Sequence, residues 1–270
     1  GYSNTAVGKD ALEANTEGYS NTAVGLGALE ANTNADYNVA VGALALTACT
    51  TGGSNVAVGQ DALKGVTTAT GNTAIGTYSN DAACTGISNT SVGLYSLSAN
   101  TSGAYGTAVG LNALKLNTTG TGNIAVGTGA LDANTTGSYN AGFGYNALGA
   151  NTTASNNVAV GWNSLAANTT GTENIAVGYA ALDANTTTSS NTAMGHNAIG
   201  ANTASDNTAF GRHALAANTT GTPNTAVGLN ALVANTTGAN NTAVGYGALD
   251  AITTGSESVA ICSSALTGAS

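Results

Sequence analysis

The sequence predicts an all-β chain: a repetitive parallel β-solenoid (β-roll) of sixteen coils, 17 residues each, running as one segment over residues 1–270. Three observations predict it. A glycine recurs at a fixed interval, each glycine follows a short apolar run, and only 6% of the residues are charged. The markers are Gly8, Gly25, Gly42, Gly59, Gly76, Gly93, Gly110, Gly127, Gly144, Gly161, Gly178 and Gly195, then after a single 16-residue step Gly211, Gly228, Gly245 and Cys262. A fixed period of this length marks an array in which each unit packs only on its neighbours.

The composition narrows the class further. A charged fraction of 6% and an aromatic fraction of 5% are too low for an ordinary globular surface and core. The net charge is −9, and the basic residues are Lys9, Lys64, Lys115 and Arg212 alone. Such a surface offers no cluster for a nucleic-acid backbone and no polybasic attraction to lipid. No apolar run approaches a membrane span, so no membrane insertion is expected in this segment. The lack of polar end caps and of a leader reads as an excerpt from a longer fibre chain, with an extracellular, cell-surface or virion location.

A typical copy reads N-T-A-V-G-x-x-A-L-x-A-N-T-T-G-x-x. With the marker as position zero, the run before it (Asn21 to Val24) reads as one strand and the stretch A-L-x-A-N (Ala28 to Asn32) as a second. Five residues between glycine and Thr-Thr are too few for a stable helix. Glycine and the N-T-T-G run supply the turns. The copy over 77–86 is the weakest: it loses the A-L pair, Cys84 falls one residue late, and a local bulge is expected there.

Alternation along a strand assigns the faces. Position −1 is always Val, Ile, Met or Phe, and position +4 is nearly always Leu. These are expected in the coil core as Val7, Val24, Phe143, Met194 and Phe210 with Leu12, Leu29 and Leu114, joined by the frequent Ala at +6. Position −2 is then outward, yet it is alanine in fourteen copies and never charged. A solvated slot drifts in character, so a packed partner is expected against Ala6, Ala23, Ala40, Ala57, Ala74, Ala108, Ala125, Ala159, Ala176, Ala193, Ala209, Ala226 and Ala243. A symmetric interface between identical chains supplies one, since a thin two-stranded coil has a poor core of its own. The alternative is the reversed parity, with alanine inside and valine outside. That leaves an exposed ladder of Val and Phe, a large apolar patch.

Asparagine recurs at −4 (Asn4, Asn21) and at +7 (Asn15, Asn32, Asn134, Asn168, Asn235). Asparagine tolerates turn geometry, and stacked copies form amide ladders. Some of these sites also match the N-x-T glycosylation pattern, as at Asn117, Asn134 and Asn151; the ladder is the preferred reading.

The N-T-A-V-G-x-x-A-L and A-N-T-T-G units resemble the head repeats of trimeric autotransporter adhesins. They are even more similar to the 17-residue repeats of phage tail-fibre and related surface proteins. The resemblance spans Asn4 to Leu266 and implies a homotrimer of left-handed β-rolls serving as a stalk or adhesive head. No anchor barrel, heptad stalk or chaperone domain accompanies it here, and threonine is frequent at −3.

No enzyme is expected. There is no G-x-S-x-G and no phosphate loop, and the aspartates are too scattered for calcium repeats. His196 and His213 read as solvated turn residues; no metal and no cofactor is expected. Cys49 and Cys84 stand two coils apart, about 9.6 Å at the spacing of stacked strands, too far to bridge. Tyr2, Tyr19, Tyr145, Trp162, Tyr179 and Tyr246 cluster at turns, where they can stack on sugars, anchor a partner or shield coil ends. The expected function is a fibre shaft or adhesive segment of a homotrimer, with a host-cell surface glycan or protein as a further partner. The alternatives are a subunit of a polymeric extracellular filament and, second, an ice-binding solenoid.

Overall fold

A computed structural model describes residues 1–267 of the chain. They form a parallel β-solenoid with a 17-residue coil and, among the described residues, no helix. The chain divides into two compact units, Gly1–Tyr139 and Asn140–Ser270. The first carries eight three-residue strands, from β1 (Thr5–Val7) to β8 (Ile124–Val126). The second carries eight more, from β9 (Ala141–Phe143) to β16 (Val259–Ile261). Within each unit neighbouring strands pair in parallel, and equivalent residues stand over one another, as in Thr5↔Thr22, Ala6↔Ala23 and Val7↔Val24. The 16-residue step is absorbed without loss of register: β12 (Thr192–Met194) pairs with β13 (Thr208–Phe210) as Thr192↔Thr208 and Met194↔Phe210.

Only the run before the marker glycine is a strand. The A-L-x-A stretch, expected to be a second strand, is a chain of turns. Its backbone alternates in sign: φ is +58° at Asn112 and +50° at Leu114, and the same positions are positive in the other coils. The amides alternate too. Position +3 donates within the coil to the marker carbonyl (Ala113 N to Gly110 O, 3.3 Å), and +7 donates to +4 (Asn117 N to Leu114 O, 3.1 Å). Between these, +2 donates to the preceding coil (Asn112 N to Leu94 O, 3.1 Å) and +4 to the next (Leu114 N to Ala130 O, 3.0 Å). Each coil is thus hydrogen-bonded to its neighbours through its turns as well as its strand, which keeps the buried backbone satisfied. A left-handed leucine costs about 1–2 kcal/mol. Its side chain is fully buried in nearly every coil, worth about 1.5–3 kcal/mol, so the geometry is sustained.

The interior holds the Leu column at +4, flanked by alanine at +3 and alanine at −2, all at or near zero exposure (Leu29, Ala28 and Ala23, for example). The fifth coil breaks the column. Asn80 takes the leucine position at 1% exposure with neither amide atom hydrogen-bonded. Beside it Ser79 Oγ lies 2.7 Å from Ser91 Oγ and 2.9 Å from Ser96 Oγ, a polar knot in place of alanines. The weak copy read over 77–86 is therefore a polar fault in the core. Asn80→Leu is expected to raise stability by about 2 kcal/mol, since it removes two unpaired buried groups and restores the column. Denaturant unfolding of the two proteins side by side measures it; a loss of stability would show that the asparagine is satisfied by a group yet to be seen.

Candidate interaction face

Strand geometry sets which side chains leave the coil, and the parity is the reverse of the one first expected. Alanine at −2 points inward. Ala23, Ala40, Ala57, Ala74, Ala108, Ala125, Ala159, Ala176, Ala193, Ala209, Ala226 and Ala243 are all at 0% exposure in the single chain, so they have no surface to give another chain. Ala6, in the first coil, is exposed. The residues expected in the core leave it instead: Val7 is 58% exposed, Phe143, Met194 and Phe210 are each 39% exposed, and Val24 is half-buried. Leu12, Leu29 and Leu114 are in the core as expected. Alanine at +6 lies at the surface or half-buried, and alanine at +3 takes the inward place.

The physical reason is space. Two layers of backbone separated by a leucine column leave room at −2 for a methyl group and little more. A site that admits only Ala, Ser91 or Gly142 is limited in volume, as interiors are. Position −1 ranges from valine to phenylalanine because nothing closes over it.

Outward, the strands form one apolar face in each unit. Positions −3 and −1 carry Thr, Val, Ile, Ala, Met and Phe, and no charge in any coil. Ile75, Ile124, Phe143, Ile175, Met194, Phe210 and Ile261 are the members larger than valine standing in solvent. The 13 carboxylates of the chain lie off this face, at turns and at +5. Asp81, Asp132 and Asp183, at +5, have carboxyl groups raised above the usual range, chiefly by burial against the turns.

The asparagines at −4 and +7 form amide ladders, and these lie inside the coil. At −4, Asn21 Nδ2 donates to Ala35 O at 2.7 Å and its Oδ1 accepts from Asn38 N at 2.9 Å. At +7, Asn32 Nδ2 donates to Asn15 Oδ1 at 2.9 Å, and Asn168 Nδ2 to Asn151 Oδ1 at 3.0 Å. Asn4 donates to Gly18 O, Asn134 to Gly137 O and Asn235 to Gly238 O. Asn117, Asn134 and Asn151 have at most 1% exposure, so their N-x-T triplets present no free amide. Asn235 Oδ1 is left without a partner because Ile252 stands where the next coil needs an amide.

A third ladder went unread in the sequence. Threonine fills +8 in coil after coil, and its hydroxyl donates to the threonine carbonyl one coil on, as from Thr101 to Thr118 (2.9 Å) and Thr169 to Thr186 (3.0 Å). Its signal was the threonine that recurs in that column, broken in the fifth coil by Cys84, where Thr85 makes the bond instead.

Aromatic rings also pile up between coils. Tyr2 stacks on Tyr19 (5.2 Å), Tyr78 on Tyr95 (5.3 Å), Tyr145 on Trp162 (4.4 Å) and Tyr179 on His196 (5.1 Å). Stacking covers one face of each ring, so a sugar would have only the other face and the edges to lie against. Cys49 and Cys84 are buried free thiols and Cys262 an exposed one. Burial pushes the Cys49 thiol up to about 11, and it raises Cys84 as well. No pocket opens among the described residues, and no helix among them is long and apolar enough to cross a membrane. No protein-family model matches this chain, and no curated protein does either.

Proposed function

We propose that this chain is a structural segment of a surface-exposed homotrimeric fibre, a shaft or adhesive segment of the tail-fibre or bacterial-adhesin kind, without enzymatic activity. The observation that carries the reading is the uncharged apolar face at −1 and −3, repeated in every coil. Its occupant is the same face of further copies of this chain, set parallel and in step. Three considerations favour that occupant.

The first is pitch. Apolar side chains recur at the spacing of stacked strands, about 4.8 Å, and only a partner with the same rise meets every rung. The second is area. Two partly exposed side chains per coil over eight coils offer roughly 800 Å² in each unit, the share one partner gives to a stable interface. The third is charge. Identical chains of net charge −9 repel, and this face is where they meet without opposing carboxylates. Closed symmetry around such a face buries it fully. The hydrogen-bonded coils, small core and stacked rings suit a rigid support, and the resemblance to the 17-residue fibre repeats points to the same use and to an extracellular or virion setting.

Sedimentation equilibrium tests this. The chain is expected at three times its 25.8 kDa mass. Charging the face with Val58→Asp and Val177→Asp is expected to give a folded monomer. A wild-type monomer at tens of micromolar protein would sink the proposal, and an unlimited polymer would favour the filament instead.

A further inference from the structure

The only two histidines of the chain, His196 and His213, meet in the second unit on adjacent coils. Their ring centres are 5.2 Å apart and their planes cross at 63°. Two imidazoles that share one tetrahedral ion, each nitrogen about 2.0–2.1 Å from the metal, hold their ring centres about 5 Å apart. The pair already stands at that separation.

Both rings are braced from behind. Tyr179 stacks on His196 at 5.1 Å with planes 11° apart, which fixes the plane of the first ring. Asn197 Nδ2 lies 3.4 Å from His213 Nδ1. Turning the Asn197 amide over brings its oxygen to the ring, where it accepts from Nδ1–H and leaves Nε2 with a lone pair. This is the usual second contact of a metal-bound imidazole. The two residues stand on either side of the one 16-residue step, where the coil is shortest.

We propose that His196 and His213 form a surface site for a divalent transition-metal ion of the zinc, nickel or copper class, with solvent in the remaining positions. The described residues hold no group of three or more His, Cys, Asp or Glu, so the site is an open, exchangeable one. Imidazoles without carboxylates select these ions over calcium and magnesium. The ion ties the coil of β12 to that of β13 and stabilises the folded chain by mass action. Arg212, exposed and adjacent in sequence to His213, opposes a bound cation and sets the affinity below that of a closed site.

Titration calorimetry of the whole chain with zinc chloride, and separately with nickel chloride, is the test. One ion per chain is expected, with a rise in melting temperature that EDTA reverses. His196→Gln and His213→Gln are each expected to weaken binding by about tenfold or more, and circular dichroism confirms that both remain folded. Arg212→Gln is expected to tighten it. Lack of saturable zinc or nickel binding, binding that survives both histidine substitutions, or equal binding of calcium would overturn the site. None of these outcomes depends on the oligomeric state, so they leave the fibre proposal to its own test.

Discussion

Gly178→Ala is expected to lower stability by about 3 kcal/mol. Two costs combine. The backbone there has φ +136°, a region that a side chain tolerates poorly. An added Cβ would also stand 2.5 Å from Gly195 O and 2.7 Å from Gly195 C, and both are backbone of the next coil. The coils would have to part. Parting them weakens the bonds on either side, Gly178 N to Val160 O at 2.7 Å and Gly195 N to Val177 O at 2.8 Å. Gly129 is the control. It too has positive φ, +67°, but nothing lies within 4 Å of its virtual Cβ. Gly129→Asn, which copies the residue at +2 in several coils, is expected to stay within about 0.5 kcal/mol of the parent. Thermal melts of both variants decide the matter, with amide exchange of the flanking coils as a local readout. Equal effects would mean that coil spacing is set elsewhere.

The marker glycine also shows what the sequence made legible. Its interval fixed the coil, the parallel order and the stacking of like residues, because a stack repeats whatever geometry one coil requires. Harder to read was the A-L-x-A stretch. Asn, Gly and Asp at +2 are a turn signal, and φ there is positive, as at Asp61 (+56°) and Asn163 (+53°). Leucine at +4 hides a left-handed backbone, since that conformation costs leucine energy that only burial in the assembled stack returns. No local rule reveals it.

The interaction face was misread for a related reason. Alternation says that −2 and −1 face opposite ways, but hydrophobic size alone does not say which way is inward. Assigning the bulkier valine and phenylalanine to the core assumed a coil wide enough to hold them. The usable signal was variance: Ala at −2 hardly changes across the copies, while −1 ranges over Val, Ile, Met and Phe and −3 over Thr, Val, Ile and Ala. A closed interior restricts volume and an open face does not. The pairing of His196 with His213 was harder still, since it depends on which way two side chains lean from neighbouring turns.

The −4 ladder yields the second large effect, because each of its amides serves two coils at once. Asn174→Ala is expected to cost about 3 kcal/mol. Asn174 is fully buried. Its Oδ1 accepts the backbone N–H of Asn191 at 3.0 Å, and its Nδ2 donates to Thr188 O at 2.9 Å and to Asn157 Oδ1 at 3.2 Å. Alanine leaves the Asn191 N–H without that acceptor, in a core with no pocket to admit a replacement. The Thr188 carbonyl is spared, since Asn185 Nδ2 also donates to it at 3.0 Å. The cost is therefore one orphaned amide, the lost donor bonds and a small cavity. Thr170→Ala, on the exposed side of the preceding turn, is the comparison and should change stability by less than about 0.5 kcal/mol. If urea unfolding puts the two variants level, a water molecule must be taking the amide's place, and the coil interior would then be wetter than its alanine and leucine columns imply.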